Sequence, residues 1–225
     1  MRVLLPLRLL AALLLWLGTI AAAHATHILG GEITYTPIAS TSGGPRYHIT
    51  ARLYRDASKI DQNAVTLVCS RNGCDAAAPG SFTITMPRTQ VVTTYTLGCA
   101  STPLYTYNVY LFETDVNLPS SQWILSVTIE NRQADIINIY NSINSTFHIS
   151  AFLDNALVAQ NASPRFISTL LPYVLSAQEH PYSFSAFDSE GDSLVYRFVV
   201  PQQGVEPLRS CGQNIIGTTP SPTSS

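Results

Sequence analysis

The sequence predicts an all-β protein built on an antiparallel, immunoglobulin-like sandwich. Three observations carry this: apolar residues alternate with polar ones at period two, β-branched and aromatic residues fill those runs, and Gly, Pro, Asn and Ser clusters separate them. After the leader the first run is Tyr47, Ile49, Ala51 and Leu53, with His48, Thr50 and Arg52 on the opposite face. Phe82, Ile84 and Met86 follow, and then Tyr105, Tyr107, Val109 and Leu111. Trp123, Leu125, Val127 and Ile129 make a clean fourth set, and Phe147, Ile149, Ala151 and Leu153 a fifth. Two shorter sets close the series, Tyr182, Phe184 and Ala186, then Leu194, Tyr196 and Phe198. Such alternation gives each sheet one dry face and one wet face. Only 131–144 has room for a helical turn.

Residues 1–25 read as a secretory signal peptide. A basic start at Arg2 precedes an apolar run from Val3 to Ile20, and the small-residue exit Ala21-Ala22-Ala23-His24-Ala25 follows. Pro6 and Arg8 interrupt the run, which argues against a membrane anchor. Its removal takes Arg2 and Arg8 from the 12 Lys+Arg and leaves 10 basic against 14 acidic residues. With no basic excess the chain lacks the electrostatic footprint of a nucleic-acid binder. At 46% hydrophobic and 12% charged residues it is also unlike a disordered polymer. The mature protein is expected outside the cell, secreted or on the cell surface, with no span after signal removal.

The expected organisation is a sandwich domain at 26–155, a partial second β domain at 160–205 and a flexible tail at 206–225. The break falls in Asp154-Asn155-Ala156 through Asn161-Ala162-Ser163-Pro164. The second unit has fewer strands than the roughly seven of a complete sandwich, which suggests a piece of a longer protein. The tail, rich in Thr, Ser and Pro, has the composition of a linker.

Four cysteines remain: Cys69, Cys74, Cys99 and Cys211. Export makes disulfides reasonable, and four cysteines allow three full pairings. Cys69 and Cys74 flank Ser70-Arg71-Asn72-Gly73, where Asn-Gly favours a tight turn, so a Cys69–Cys74 bridge is the expected pairing. No histidine stands nearby at zinc-ligand spacing.

Three stretches carry a family resemblance. They are Thr26-His27-Ile28-Leu29-Gly30-Gly31-Glu32-Ile33-Thr34-Tyr35, then Tyr47-His48-Ile49-Thr50-Ala51-Arg52-Leu53-Tyr54-Arg55-Asp56, then Ala186-Phe187-Asp188-Ser189-Glu190-Gly191-Asp192-Ser193-Leu194-Val195-Tyr196. Together they resemble the N-terminal region of large secreted, multi-domain surface proteins of Bacteroidetes-type bacteria, the gliding-motility-associated or PKD/cadherin-like repeat proteins. The resemblance implies a surface architecture and an export route more than an activity. Ala57 stands where the family often has a cysteine, and Ile129-Glu130-Asn131-Arg132 lacks its cysteine pair.

Asp188-x-Glu190-Gly191-Asp192 is the main functional signal. Alternate carboxylates before a glycine can aim oxygens at one point, and calcium takes six to eight such ligands. A hydrophilic β-turn with carboxylates facing water has the same pattern. The resemblance adds the linker Asn161-x-x-Pro164-x-Phe166, whose counterparts in cadherin-like repeats help hold calcium with the acidic motif. The expected ligands are therefore Asp188, Glu190 and Asp192, with Asn161 as a fourth.

The remaining polar residues give weaker signals. His24 and His27 straddle the cleavage site, with His27 expected as part of the first strand; His48 and His148 sit on polar strand faces where exposure is expected, and His180 precedes a proline. No His-Glu-x-x-His, Gly-x-Ser-x-Gly or Walker loop occurs. Glu113, Asp115, Glu130, Asp135 and Asp154 are the carboxylates from which a glycosidase pair would be drawn. Tyr105, Tyr107, Tyr110 and Trp123 are candidates for a sugar platform or for the core. Asn144 and Asn161 head glycosylation sequons that in a bacterial chain are turn residues. The expected function is a non-catalytic surface adhesion or scaffold module with an extracellular protein or glycan partner. The alternative is a secreted carbohydrate-binding or glycan-degrading module.

Overall fold

The computed structural model describes residues 27–40, 43–58, 61–71, 79–99, 102–130, 132–134, 136–158, 160–168, 171, 179 and 181–204. The first 26 residues and those from 205 onward lie outside these residues. Nine strands follow in chain order: β1 (Ile28–Ile38), β2 (Arg46–Asp56), β3 (Ala64–Arg71), β4 (Phe82–Cys99), β5 (Thr102–Asn117), β6 (Gln122–Ile129), β7 (Phe147–Asp154), β8 (Arg165–Phe166) and β9 (Ala186–Phe187). A single 3-10 turn at Ser142–Asn144 lies in the stretch with room for a helical turn, and no α-helix occurs among the described residues.

β1 to β7 hydrogen-bond in the order β1-β2-β5-β4-β3-β6-β7, every pair antiparallel. The order folds into two layers because β4 serves both. Its first part, Phe82–Pro87, pairs with β3, and from Arg88 onward it pairs with β5. Pro87 has no N–H for a ladder and marks the last pair with β3. Arg88 N–H instead donates to Asn63 O at 2.8 Å. Register shifts at Arg88/Gln90 and Val91/Thr93 follow at once, and such bulges bend and twist a strand. One layer is thus β1-β2-β5-β4 and the other β4-β3-β6-β7. This is the strand order of an immunoglobulin-type sandwich, with β4 contributing to both sheets.

The core lies between the layers. Tyr47, Ile49, Ala51 and Leu53 of β2 face Leu67, Trp123, Leu125 and Val127 of the second sheet, all essentially without exposure. Trp123 Nε1 donates to Pro119 O at 2.9 Å, which fixes the corner leading into β6. β5 differs from the expectation. Its core residues are Tyr110, Phe112 and Val116, whereas Tyr107 and Val109 point out of the sandwich. They are nevertheless buried, in a second cluster with Tyr54, Leu29 and Leu171. Chain arriving from after β8 covers that outer face, so β5 carries apolar residues on both sides.

The two last strand sets of the sequence fare unequally. Of 182–186 only Ala186 joins a strand, pairing with Phe166, and 194–198 forms none. Tyr182, Phe184 and Phe198 instead touch ring to ring, and Phe198 stays 91% exposed. Alternation specifies a strand only where a neighbour supplies a ladder, and no described strand flanks 194–198.

Candidate functional site at the junction

The chain leaves β7 at Asp154, and the sandwich holds it there. Ser121 N–H donates to Asn155 Oδ1 at 2.7 Å, and Asn155 Nδ2 donates to Leu118 O at 2.8 Å. Residues 161–164 then run along the free edge of β1. Ser163 N–H donates to Tyr35 O, and Tyr35 N–H donates to Ser163 Oγ, both at 2.9 Å. Tyr35 OH donates to Phe152 O at 2.9 Å, tying the β1 edge to β7 across the layers.

The acidic motif returns to this strap. Asp188 Oδ1 accepts the N–H groups of Glu190 and Asp192, each at 3.0 Å. Gly191 closes the turn at φ 82°, a conformation that favours glycine. Glu190 Oε1 accepts the N–H of Ala162 at 3.3 Å, and Ser189 Oγ donates to Oε2 at 2.6 Å. Motif and linker therefore meet, as the ligand set Asp188, Glu190, Asp192 and Asn161 requires. Among the described residues no group of three His, Cys, Asp or Glu side chains is placed to hold a metal. Burial, with smaller contributions from Tyr47, Asp188 and Glu190, pushes the Tyr35 hydroxyl up to about 12.

Among the described residues Cys69 has no disulfide partner, and burial in the core raises its pKa to about 12. Its expected partner Cys74 lies outside the described residues, as do Cys211 and the side chain of Cys99.

Among the described residues the aromatic platform is not available at the surface. Tyr107, Tyr110 and Trp123 are buried, and the side chain of Tyr105 lies outside the described residues. Three of the carboxylates serve structural bonds. Asp115 takes Arg46 at 2.9 Å and His48 Nδ1 at 2.7 Å, and Glu113 takes Thr89 Oγ1 at 2.6 Å. Asp154 accepts the N–H groups of Ala156 and Leu157 and the amide of Gln122. These bonds, that of Gln122 first, lower its pKa. Asp135 lies outside the described residues.

Two histidine expectations need revision. His148 is buried, not exposed, with Nδ1 2.8 Å from Thr128 Oγ1. Residues 202–204 pack on its neighbours: Gly204 N–H donates to Thr146 Oγ1 at 2.7 Å, and a Cβ on Gly204 would meet Thr128 Cγ2 at 2.2 Å. His27 precedes β1 rather than joining it, at φ 41°, with its carbonyl accepting Asp56 N–H at 3.3 Å.

Sequence reasoning missed one cluster. Asp61 Oδ1 accepts Tyr110 OH at 2.6 Å and also binds Arg88 and buried Arg55. Both guanidinium groups lie over the Tyr110 ring, at 5.2 Å for Arg55 and 4.6 Å for Arg88. The Tyr54-Arg55-Asp56 motif flags one member, but nothing in the spacing of 55, 61, 88 and 110 joins the rest.

No family model, curated protein or solved structure matches the chain.

Proposed function

We propose that the chain is a non-catalytic module of an exported cell-surface adhesion or structural scaffold protein. The observation that supports this reading is the built junction. The linker is bonded into the edge of β1 at Ser163, and the acidic turn of the following β unit is bonded to the linker at Ala162. A chain that fixes the direction in which one β unit leaves another suits a load-bearing or spacing role. Its buried polar groups brace strands and turns. In this arrangement the acidic turn is held by N–H donors, with Asp188 Oδ1 and Glu190 Oε1 already engaged.

The test combines location and chemistry. Protease treatment of intact cells of the source organism should remove the protein, and the purified 26–225 chain should hydrolyse no member of a polysaccharide and ester panel. Recovery of the chain inside protected cells with Met1 intact, or turnover of a panel substrate, would overturn the reading.

A further inference from the structure

A groove lies between the outer face of β1–β2 and the β8–β9 hairpin, and it has two chambers that share Glu32 and Phe166. The first, about 220 Å³, has Gly30 and Gly31 in its wall with Tyr54, Tyr182 and Phe184 around them. The second, about 250 Å³, is lined by Thr34, Arg52, Arg165 and Phe187. An apolar concavity with a few converging polar groups is the usual form of a small-ligand site.

The rings are the first indication of what fits. Phe166, Phe184 and Phe187 are 46%, 48% and 55% exposed, so they hold apolar faces in water along one groove. Phe187 pairs across the hairpin with Arg165, which sets a flat ring beside a planar donor.

The polar groups are the second. Arg52 is hydrogen-bonded to Glu32 in a half-buried pair, giving the groove a fork of donors and a carboxylate acceptor side by side. Thr34 and, in the first chamber, Ser168 and Ser183 add hydroxyls that donate or accept. The lining holds two arginines and one carboxylate, and the acidic turn begins at the residue after Phe187. With both signs present, no single-sign field selects a charged ligand.

Rings for an apolar C–H face, with donors and acceptors for hydroxyls at its rim, match the two chemistries of a pyranose. We propose that this groove binds a neutral oligosaccharide, on residues unrelated to the buried aromatics of β5 and β6. The site stands apart from the scaffold reading, which needs no ligand here.

Isothermal titration of the 26–225 chain with cellohexaose, laminarihexaose, mannohexaose and xylohexaose tests it, with trigalacturonate as the acidic comparison. At least one neutral hexaose should bind with a millimolar or tighter dissociation constant. Phe187→Ala and Arg165→Ala, both at exposed positions, should each weaken that binding at least fivefold while leaving the urea midpoint unchanged. The proposal fails if no neutral hexaose binds, if trigalacturonate binds more tightly than all of them, or if neither substitution weakens binding.

Discussion

Ser163 and Tyr35 bond in both directions: the serine N–H reaches the tyrosine carbonyl, and the tyrosine N–H reaches the serine hydroxyl, both at 2.9 Å. An edge strand exposes such groups to any passing strand, and here one residue satisfies both. Removing the hydroxyl leaves a buried N–H without its acceptor, a loss of about 1–3 kcal/mol. Ser163→Ala should lower the urea midpoint accordingly and speed cleavage between 156 and 164 in limited proteolysis. An unchanged midpoint and cleavage rate would show that the strap contributes nothing.

The acidic turn gives a metal-removal experiment. Asp188 Oδ1 and Glu190 Oε1 already accept N–H donors, so the fold of this turn should survive chelation. The expected outcome is one melting curve in EDTA and in millimolar calcium, and a lower melting temperature for Asp188→Ala in both. A rise at millimolar calcium, the affinity range of about 10⁻⁴–10⁻³ M common to extracellular modules, would show that the carboxylates rearrange around the ion.

What the sequence reveals here depends on whether a signal is local. The core faces of β2, β6 and β7 follow from period-two alternation, because each lies in one layer with water or loop on its far side. β5 misleads because Tyr107 and Val109 are covered by Leu171, which lies far along the chain. His148 misleads for the same reason, since the distant segment 202–204 packs on its neighbours Thr128 and Thr146. The acidic motif is legible as a motif, and its bond to Ala162 is not, since no periodicity encodes which backbone N–H a carboxylate will reach.

Asp61 should shape the acid limb of stability. Hydrogen bonds from Arg88 first and Tyr110 second lower its pKa to about 2 from the usual 3.8. A depressed folded-state value means the contribution is fully present above the unfolded pKa and is lost as pH falls through about 2. Its carboxylate is half exposed, so solvent screening keeps the effect modest. Between pH 4 and pH 2 the urea midpoint of Asp61→Asn should fall less steeply than that of the parent chain. Parallel pH profiles would remove Asp61 from the account.

Cys69 should be chemically silent. Its thiol is fully buried and its pKa is pushed up to about 12, which withholds both access and thiolate. Iodoacetamide should leave Cys69 unlabelled in the native protein and label it in denaturant without reductant, as read by peptide mass mapping. Labelling that appears only after reduction would mean that Cys69 is disulfide-bonded.

The glycine pair of β1 separates two roles within one dipeptide. Gly31 faces the core, where an added Cβ would lie 2.7 Å from both Arg52 O and Leu53 Cδ2, and 3.4 Å from Ile149 Cδ1. The first of these is backbone and cannot swing aside, so Gly31→Ala must push β1 away from β2 near the start of their ladder. Overpacking of this kind costs about 1–3 kcal/mol. Gly30 faces the groove, and its Cβ would meet Tyr54 and Leu171 only at ordinary contact distances of 3.7 and 3.8 Å. Gly30→Ala should therefore leave the urea midpoint within error of the parent, or raise it slightly through the lost freedom of the unfolded chain. Equal midpoints for the two alanine variants would show that β1 does not approach β2 in the register described.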